Sequence, residues 1–501
     1  MARIKRKEIL NKTLLVVGLT FIRLPRVFDL DANPWVLILG MVPFWFAIIN
    51  NHMPEIKNPP GIPKYVSQSL VQILLLFNIV GFLTVFSVVF VRAFVEQVSA
   101  GYQILAAILL ILIMAIFIYG IFALLKGAYF DKKIIIVGLL YFLVILVGIF
   151  RASVRAPFLL LSIYQFVTFL IFGLSARKTL FRDQQLFMRF VYIGLIFYLG
   201  ANVVLHFMGM ENQTEIYLKN FDSVMLSLIG IEISRVYYPL AEGINPFGNL
   251  GGAGFVMSVA LGITMIKNRS RDIISWTIAI LGVVISFYII LTTDSRGALL
   301  FAFLISGLIV FLRLIGYEIV LGFCLLIQPI ALLARKNILR NLTFLTPLIR
   351  ANSDILSGRG VVWQAGIEQL SNFNWIHLVG YGLSGHTISG VVEKYNHLFV
   401  SYININRVSL HHFGLQTIYD FGYLGLLLAY SLMFLIGISL IRKIRAYPEN
   451  QEFFLAFVFL VYVLLAGSVS TTPAYYAKEM FFIFVFVWVA AGMERGEIYA
   501  S

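Results

Sequence analysis

Continuous apolar runs recur along the chain, each of about 18–25 residues and so able to cross a ~30 Å hydrocarbon core as a helix. They do not alternate with polar positions, which excludes a membrane β-barrel. The pattern predicts spans near 9–24, 33–51, 66–91, 102–126, 133–150, 156–175, 186–208, 248–266, 273–293, 297–315, 317–334, 413–441, 452–470 and 478–493. The expected fold is an all-α polytopic integral membrane protein of about 12 to 14 transmembrane helices. Its expected organisation is N-terminal transmembrane helices over 1–208, a loop over 209–247, central transmembrane helices over 248–334, a long loop over 335–412 and C-terminal transmembrane helices over 413–501. In the first loop, "FDSVMLSLIGIEISRVYYPLAEG" has apolar residues at helical spacing, interrupted by Asp222, Glu232 and Arg235. It reads as an amphipathic helix at the membrane interface. "GINPFGNLGGAG" follows, its Gly and Pro ending that helix and its glycines allowing close packing where the next span begins.

Charge orients the spans. The clusters "RIKRK", "KGAYFDKK", "ARKTLFRD", "KNRSRD" and "RKIR" hold most of the Lys and Arg outside the long loops and fall on one side if the spans alternate. The positive-inside rule makes that side cytoplasmic, with both termini there and both long loops on the outer face. Net charge is +14 in a chain that is 60% hydrophobic and only 12% charged, with mean hydropathy +0.91. Topology and anionic headgroups account for that charge, so no nucleic-acid partner is expected. The single cysteine, Cys324, lies in an apolar run and rules out a disulfide framework. "MARIKRK" leads into a short apolar stretch and then Arg23 and Arg26, which fits a first span or interfacial helix better than a cleaved signal. Mid-span charges are few and no internal repeat is visible, unlike an ion-coupled carrier. A flippase or exporter should show a polar stripe through several spans. Here the polar residues gather at outer helix ends and in the two loops, as in an enzyme working at the membrane boundary.

Four stretches carry candidate chemistry. In "TTDSRGALL", Asp294 and Ser295 precede Arg296 at the start of a span. Arg296 reads either as a snorkelling arginine paired with Asp294 or as a guanidinium fork for an anion that Gly297 lets approach. In "SGRGVVW", Arg359 is flanked by glycines before a helical pattern. It is either a solvated loop residue or part of an anion site at a helix N-terminus capped by Ser357 or Asp354. Arg235, before "YYPLAEG", is a third candidate of the same kind. Tyr381 stands between Gly380 and Gly382, and His411–His412 sit where the long loop meets an apolar span. An interfacial His is often structural, yet imidazole is suited to accepting a hydroxyl proton near neutral pH. His377, His386 and His397 share the loop, but their spacing forms no i, i+4 pair near a carboxylate, and no metal site is expected.

The order of "SRG", "SGRGVVW", "GYG" and "HHFGLQTIYDFGYLG" over roughly 235–430 resembles the bacterial O-antigen ligase/polymerase family. The resemblance implies a glycosyltransferase of the C type, inverting and metal-independent, with no cofactor. Its donor would be an undecaprenyl-diphosphate-linked glycan in the membrane lipid, and its acceptor a glycan or lipid A-core, with a chain-length regulator as a further partner. It implies an inner-membrane site facing the periplasm. Arg296 and Arg359 would hold the diphosphate, with Arg235 in support through the "INPFGN" turn. His411 matches the family's catalytic histidine; His412 stands where the family has Asn, which leaves both as candidate bases. Gln416 and Asp420 follow in the family's order, with Tyr381, Ser295 and Asp294 supporting. The long chain and large loops favour a polymerase over a ligase.

Overall fold

The structure, a computed structural model, describes residues 131–152, 187–210, 223–227, 230–232, 234–239, 241, 243–270, 272–341, 359–399, 409–448, 450–472 and 478–493. The spans expected near 9–24, 33–51, 66–91, 102–126 and 156–175, and the caps Asp354 and Ser357, lie outside the described residues. The described chain is helical: α1 (Lys132–Arg151), α2 (Phe187–Phe207), α3 (Val224–Ser227), α4 (Ile244–Lys267), α5 (Ile273–Thr292), α6 (Arg296–Ile315) and α7 (Tyr317–Asn341). These are followed by α8 (Arg359–Ser371), α9 (Ile376–Val379), α10 (Gly385–Ile388), α11 (Phe413–Ala446), α12 (Gln451–Ala466) and α13 (Lys478–Gly492).

Among these, α1, α4, α5 and α11 are long and apolar enough to cross a membrane, and shorter apolar helices pack with them. The chain is an all-α polytopic membrane protein. Ile136, Leu139, Leu143, Val147 and Phe150 form an exposed stripe at helical spacing on α1, as a lipid-facing surface requires. By contrast α4 and α12 are buried on nearly every face and form the centre.

The two ends of the bundle differ in charge. Gly248 in the first turns of α4 packs on Ser295 and Gly297 beside it meets Val469 just after α12, while Gly252 meets Tyr462, so α4 and α12 run antiparallel. Lys267 therefore lies at the same end as Asn450, which caps α12. Arg445 at the close of α11 is paired with Glu318 at 2.7 Å, and Lys443 donates to the terminal carbonyls of Ala490 and Ala491 at 2.8 and 2.6 Å, a cation on a helix C-terminus. The Asp131 N–H donates to Gly492 O at 2.7 Å, bringing Lys132 and Lys133 to this end too. The candidate chemistry gathers at the other end.

Three expectations need correction. Over 221–243 the described residues form a single helical turn, α3, and then extended chain rather than an amphipathic helix. Gly230 at φ 79° ends the turn, and the Val236 N–H bonds Thr292 O at 2.9 Å instead of a helical partner. Next, α4 begins at Ile244 and includes "INPFGN" as its first turns; Pro246 fits there because the N–H it lacks would have had no helical acceptor. Lastly, α7 runs on to Asn341, beyond the apolar span ending near 334, since Ala, Leu, Lys and Arg there favour helix without need of a membrane.

Candidate functional site

Trp363, one turn into α8 from Arg359, is buried and donates its indole N–H to Leu410 O at 3.0 Å. That bond ties the start of α8 to the residue before His411. As a result the Arg359 charge acts on His411. Burial first, then Arg359 and His386, push the His411 imidazole down to about 3, so it is neutral at physiological pH. The His411 backbone has φ 51°, a left-handed conformation that is costly for a side chain of this size and recurs at functional sites.

His412 has a different setting. It is the N-cap of α11: its Nδ1 accepts from the Leu415 N–H at 3.2 Å. Its Nε2 therefore carries the proton and donates to Gln328 O at 3.1 Å. The ring is buried edge-on against Trp363. Gln328, fully buried in α7, also donates to Leu464 O at 2.9 Å and accepts from the Tyr430 hydroxyl at 2.7 Å.

Gln416, one turn into α11, is an orienting centre. Its Oε1 accepts from the Leu410 N–H at 3.0 Å. Its Nε2 donates to Asp420 at 3.0 and 3.1 Å and reaches His386 Nδ1 at 2.9 Å. Asp420 in turn accepts from the Gly385 N–H at 2.9 Å.

Beyond Asp420 the helix breaks. Gly422 has φ 73° and ψ −176° inside α11, which frees carbonyls of the preceding turn. The Tyr381 N–H takes Tyr419 O at 2.8 Å and the Gly382 N–H takes Asp420 O at 3.0 Å. The fit is glycine against glycine. A Cβ on Gly422 would lie 2.2 Å from Leu378 O, and one on Gly380 would lie 2.5 Å from Gly422 N. Tyr381 stacks on Tyr419 and meets His377 Nε2 at 3.0 Å, and the Leu383 N–H bonds Gly148 O at the end of α1. His377 and His386 thus have separate polar partners, and His397 is exposed in another helix.

The other arginines form a second group. Asp294 and Ser295 are buried in the α5–α6 turn, Asp294 with φ 52° and accepting from the Met225 N–H at 3.3 Å. The Ser295 hydroxyl accepts from Thr293 at 3.0 Å and occupies the space that Gly248 leaves open on α4. Arg296 opens α6, partly buried. Arg235 is buried and donates through Nε to Thr293 O at 3.1 Å and through Nη2 to Asn245 at 3.2 Å. The turn after α12 bridges the groups. Val469 lies against Gly297 and packs on the cluster containing Trp363 and Leu410, while the Phe413 N–H bonds Gly467 O at 2.8 Å.

Residues 281–430, just under a third of the chain, match the family model described as O-antigen ligase. Over this segment the chain is similar to the O-antigen ligase family. No curated protein and no solved structure matches the chain. The match supports an O-antigen ligase-like, glycosyltransferase-type function, and the matched family implies a lipid-linked glycan and an acceptor.

The matched segment contains Arg296, Arg359, Tyr381, His411, His412, Gln416 and Asp420 and ends just past the Gly422 break. Arg235 and the 467–472 turn lie outside it, yet each holds a piece of it in place. Three buried residues were not singled out in the sequence for these roles. Trp363 read as part of a helical pattern and His386 as one loop histidine among several, while Gln328 drew no comment inside its span. The signal for Gln328 was its position, since an amide buried among apolar helices needs partners.

Proposed function

We propose that the protein transfers a glycan from undecaprenyl diphosphate to an acceptor sugar hydroxyl, as a surface-polysaccharide polymerase of the inner membrane. Its site faces the periplasm and both termini are cytoplasmic. The observation that carries this reading is the neutral His411 held beside the Arg359 guanidinium, at the bundle end opposite the Lys and Arg clusters. Arg359 and Arg296, with Arg235 bracing the turn before Arg296, bind the diphosphate oxygens. A ring nitrogen of His411 accepts the acceptor's hydroxyl proton as the oxygen attacks the anomeric carbon. The bond to the diphosphate oxygen breaks on the opposite face, so configuration inverts and undecaprenyl diphosphate leaves with the electron pair. His412 positions His411 by capping α11.

A base depressed to about 3 is weak in the ligand-free protein. Bound diphosphate offsets Arg359 and raises the imidazole's affinity for a proton, so the donor itself activates the base. The family description favours a second reading, a ligase that moves the glycan onto lipid A-core. Purified protein given a short undecaprenyl-diphosphate glycan, with and without a core-lipid acceptor, separates them. A glycan ladder without core lipid supports the polymerase, a single core-linked product the ligase, and no transfer in either case refutes both.

A further inference from the structure

The Gln416 amide cannot be turned around, because the Leu410 backbone N–H can only donate and so requires Oε1 to face it. The Nε2 end then faces Asp420 and His386. His386 Nδ1 must accept, and the ring proton of a neutral His386 is confined to Nε2. That Nε2–H is buried and meets no acceptor among the described residues. An idle buried donor is costly and uncommon, and a fold that fixes its tautomer with a dedicated amide has directed it at something. His386 is close enough to His411 to act on it electrostatically, as is Arg359. The same Gln416 amide also holds the residue before His411. A ligand oxygen between Arg359 and His411 would supply the missing acceptor.

We propose that His386 is a substrate-binding residue whose Nε2–H donates a hydrogen bond to an anionic oxygen of the lipid diphosphate bound by Arg359. The inference rests on the diphosphate reading above. Burial also pushes the His386 pKa down to about 4, so the group is a neutral donor that adds no charge. Its contribution is geometric: a neutral N–H selects an oxygen at one place, where an added cation would further depress His411.

The test uses undecaprenyl diphosphate without a glycan, titrated into the purified full chain in detergent. His386→Leu, which fills the space without a donor, should weaken binding about tenfold or more. His386→Gln, whose amide N–H lies near the position of Nε2–H, should recover most of it. Thermal melts without lipid should show both variants folded. Selective ¹⁵N-histidine spectra give a second readout: the His386 Nε2–H signal should be present without lipid and shift on its addition. If wild type binds the lipid and His386→Leu binds equally well, or the His386 signal does not move, the inference is overturned. If wild type does not bind undecaprenyl diphosphate at all, the proposed function falls with it.

Discussion

His411 carries its imidazole on left-handed backbone between a buried cap and a nearby guanidinium. The fold favours its neutral form. Its contribution to stability is thus complete above the ordinary value of 6.5 and is lost as pH falls towards about 3. The same sign governs catalysis by a neutral base. We expect the acid limb of kcat/KM to lie well below pH 6.5, and Arg359→Gln to move it upward, because removing a cation makes protonation easier. Initial rates across pH 3–8, for both proteins, check this. His411→Ala should lower turnover about 10²–10⁴-fold while leaving lipid binding nearly intact. His412→Asn should be tolerated, since Asn is among the best N-caps, whereas His412→Ala should cost about 1 kcal/mol by melting temperature. A dead His412→Asn beside an active His411→Ala would exchange the two roles. The pairing of Arg359 with His411 was foreshadowed by their shared loop. The cap at His412 was not, because a ring nitrogen serving a helix N-terminus depends on a tautomer that sequence does not specify.

At the scale of elements, hydropathy placed both ends of α1 and α5 and the close of α2 to within a residue or two, because lipid-facing helices must be apolar along their whole length. It missed the break in α11, since "DFGYLGLLLAY" is as apolar across Gly422 as beyond it. The information lay in the glycines, but only as half of a pair whose other half, Gly380, is 42 residues earlier in the chain. Gly422→Ala should therefore do more than strain one residue. Left-handed backbone alone costs about 1–2 kcal/mol, and the added Cβ collides with the Leu378 carbonyl. We expect destabilisation above that cost and loss of protection for the Tyr381 and Gly382 amides in hydrogen exchange. Unchanged protection would show that the glycine contact does not hold the loop.

For the whole molecule, the Lys and Arg clusters that the sequence assigns to one side make sidedness testable. Cys324, the single cysteine, is buried, so an introduced thiol reports with little background. Lys394→Cys, at an exposed position, should react with an impermeant reagent from outside intact cells. Reaction only after the cells are opened would reverse the orientation and remove the periplasmic site. Arg296→Lys and Arg359→Lys should each lose most activity with folding intact, as an ammonium lacks the planar fork; full activity in both would refute a bidentate clamp. The glycine interlock also bears on protein engineering. To retarget such an enzyme, one would exchange the segment after α7 with that of a relative and join the chains where the loop meets α11. That junction cuts between parts shaped for each other. A transplant ending at 412 would bring a foreign Gly-Tyr-Gly turn onto a resident helix break, while one extending past Gly425 would carry both halves of the joint. The smallest exchangeable module thus includes the first turns of a helix that hydropathy assigns to the membrane, and chimeras with the later crossover should be the ones that fold.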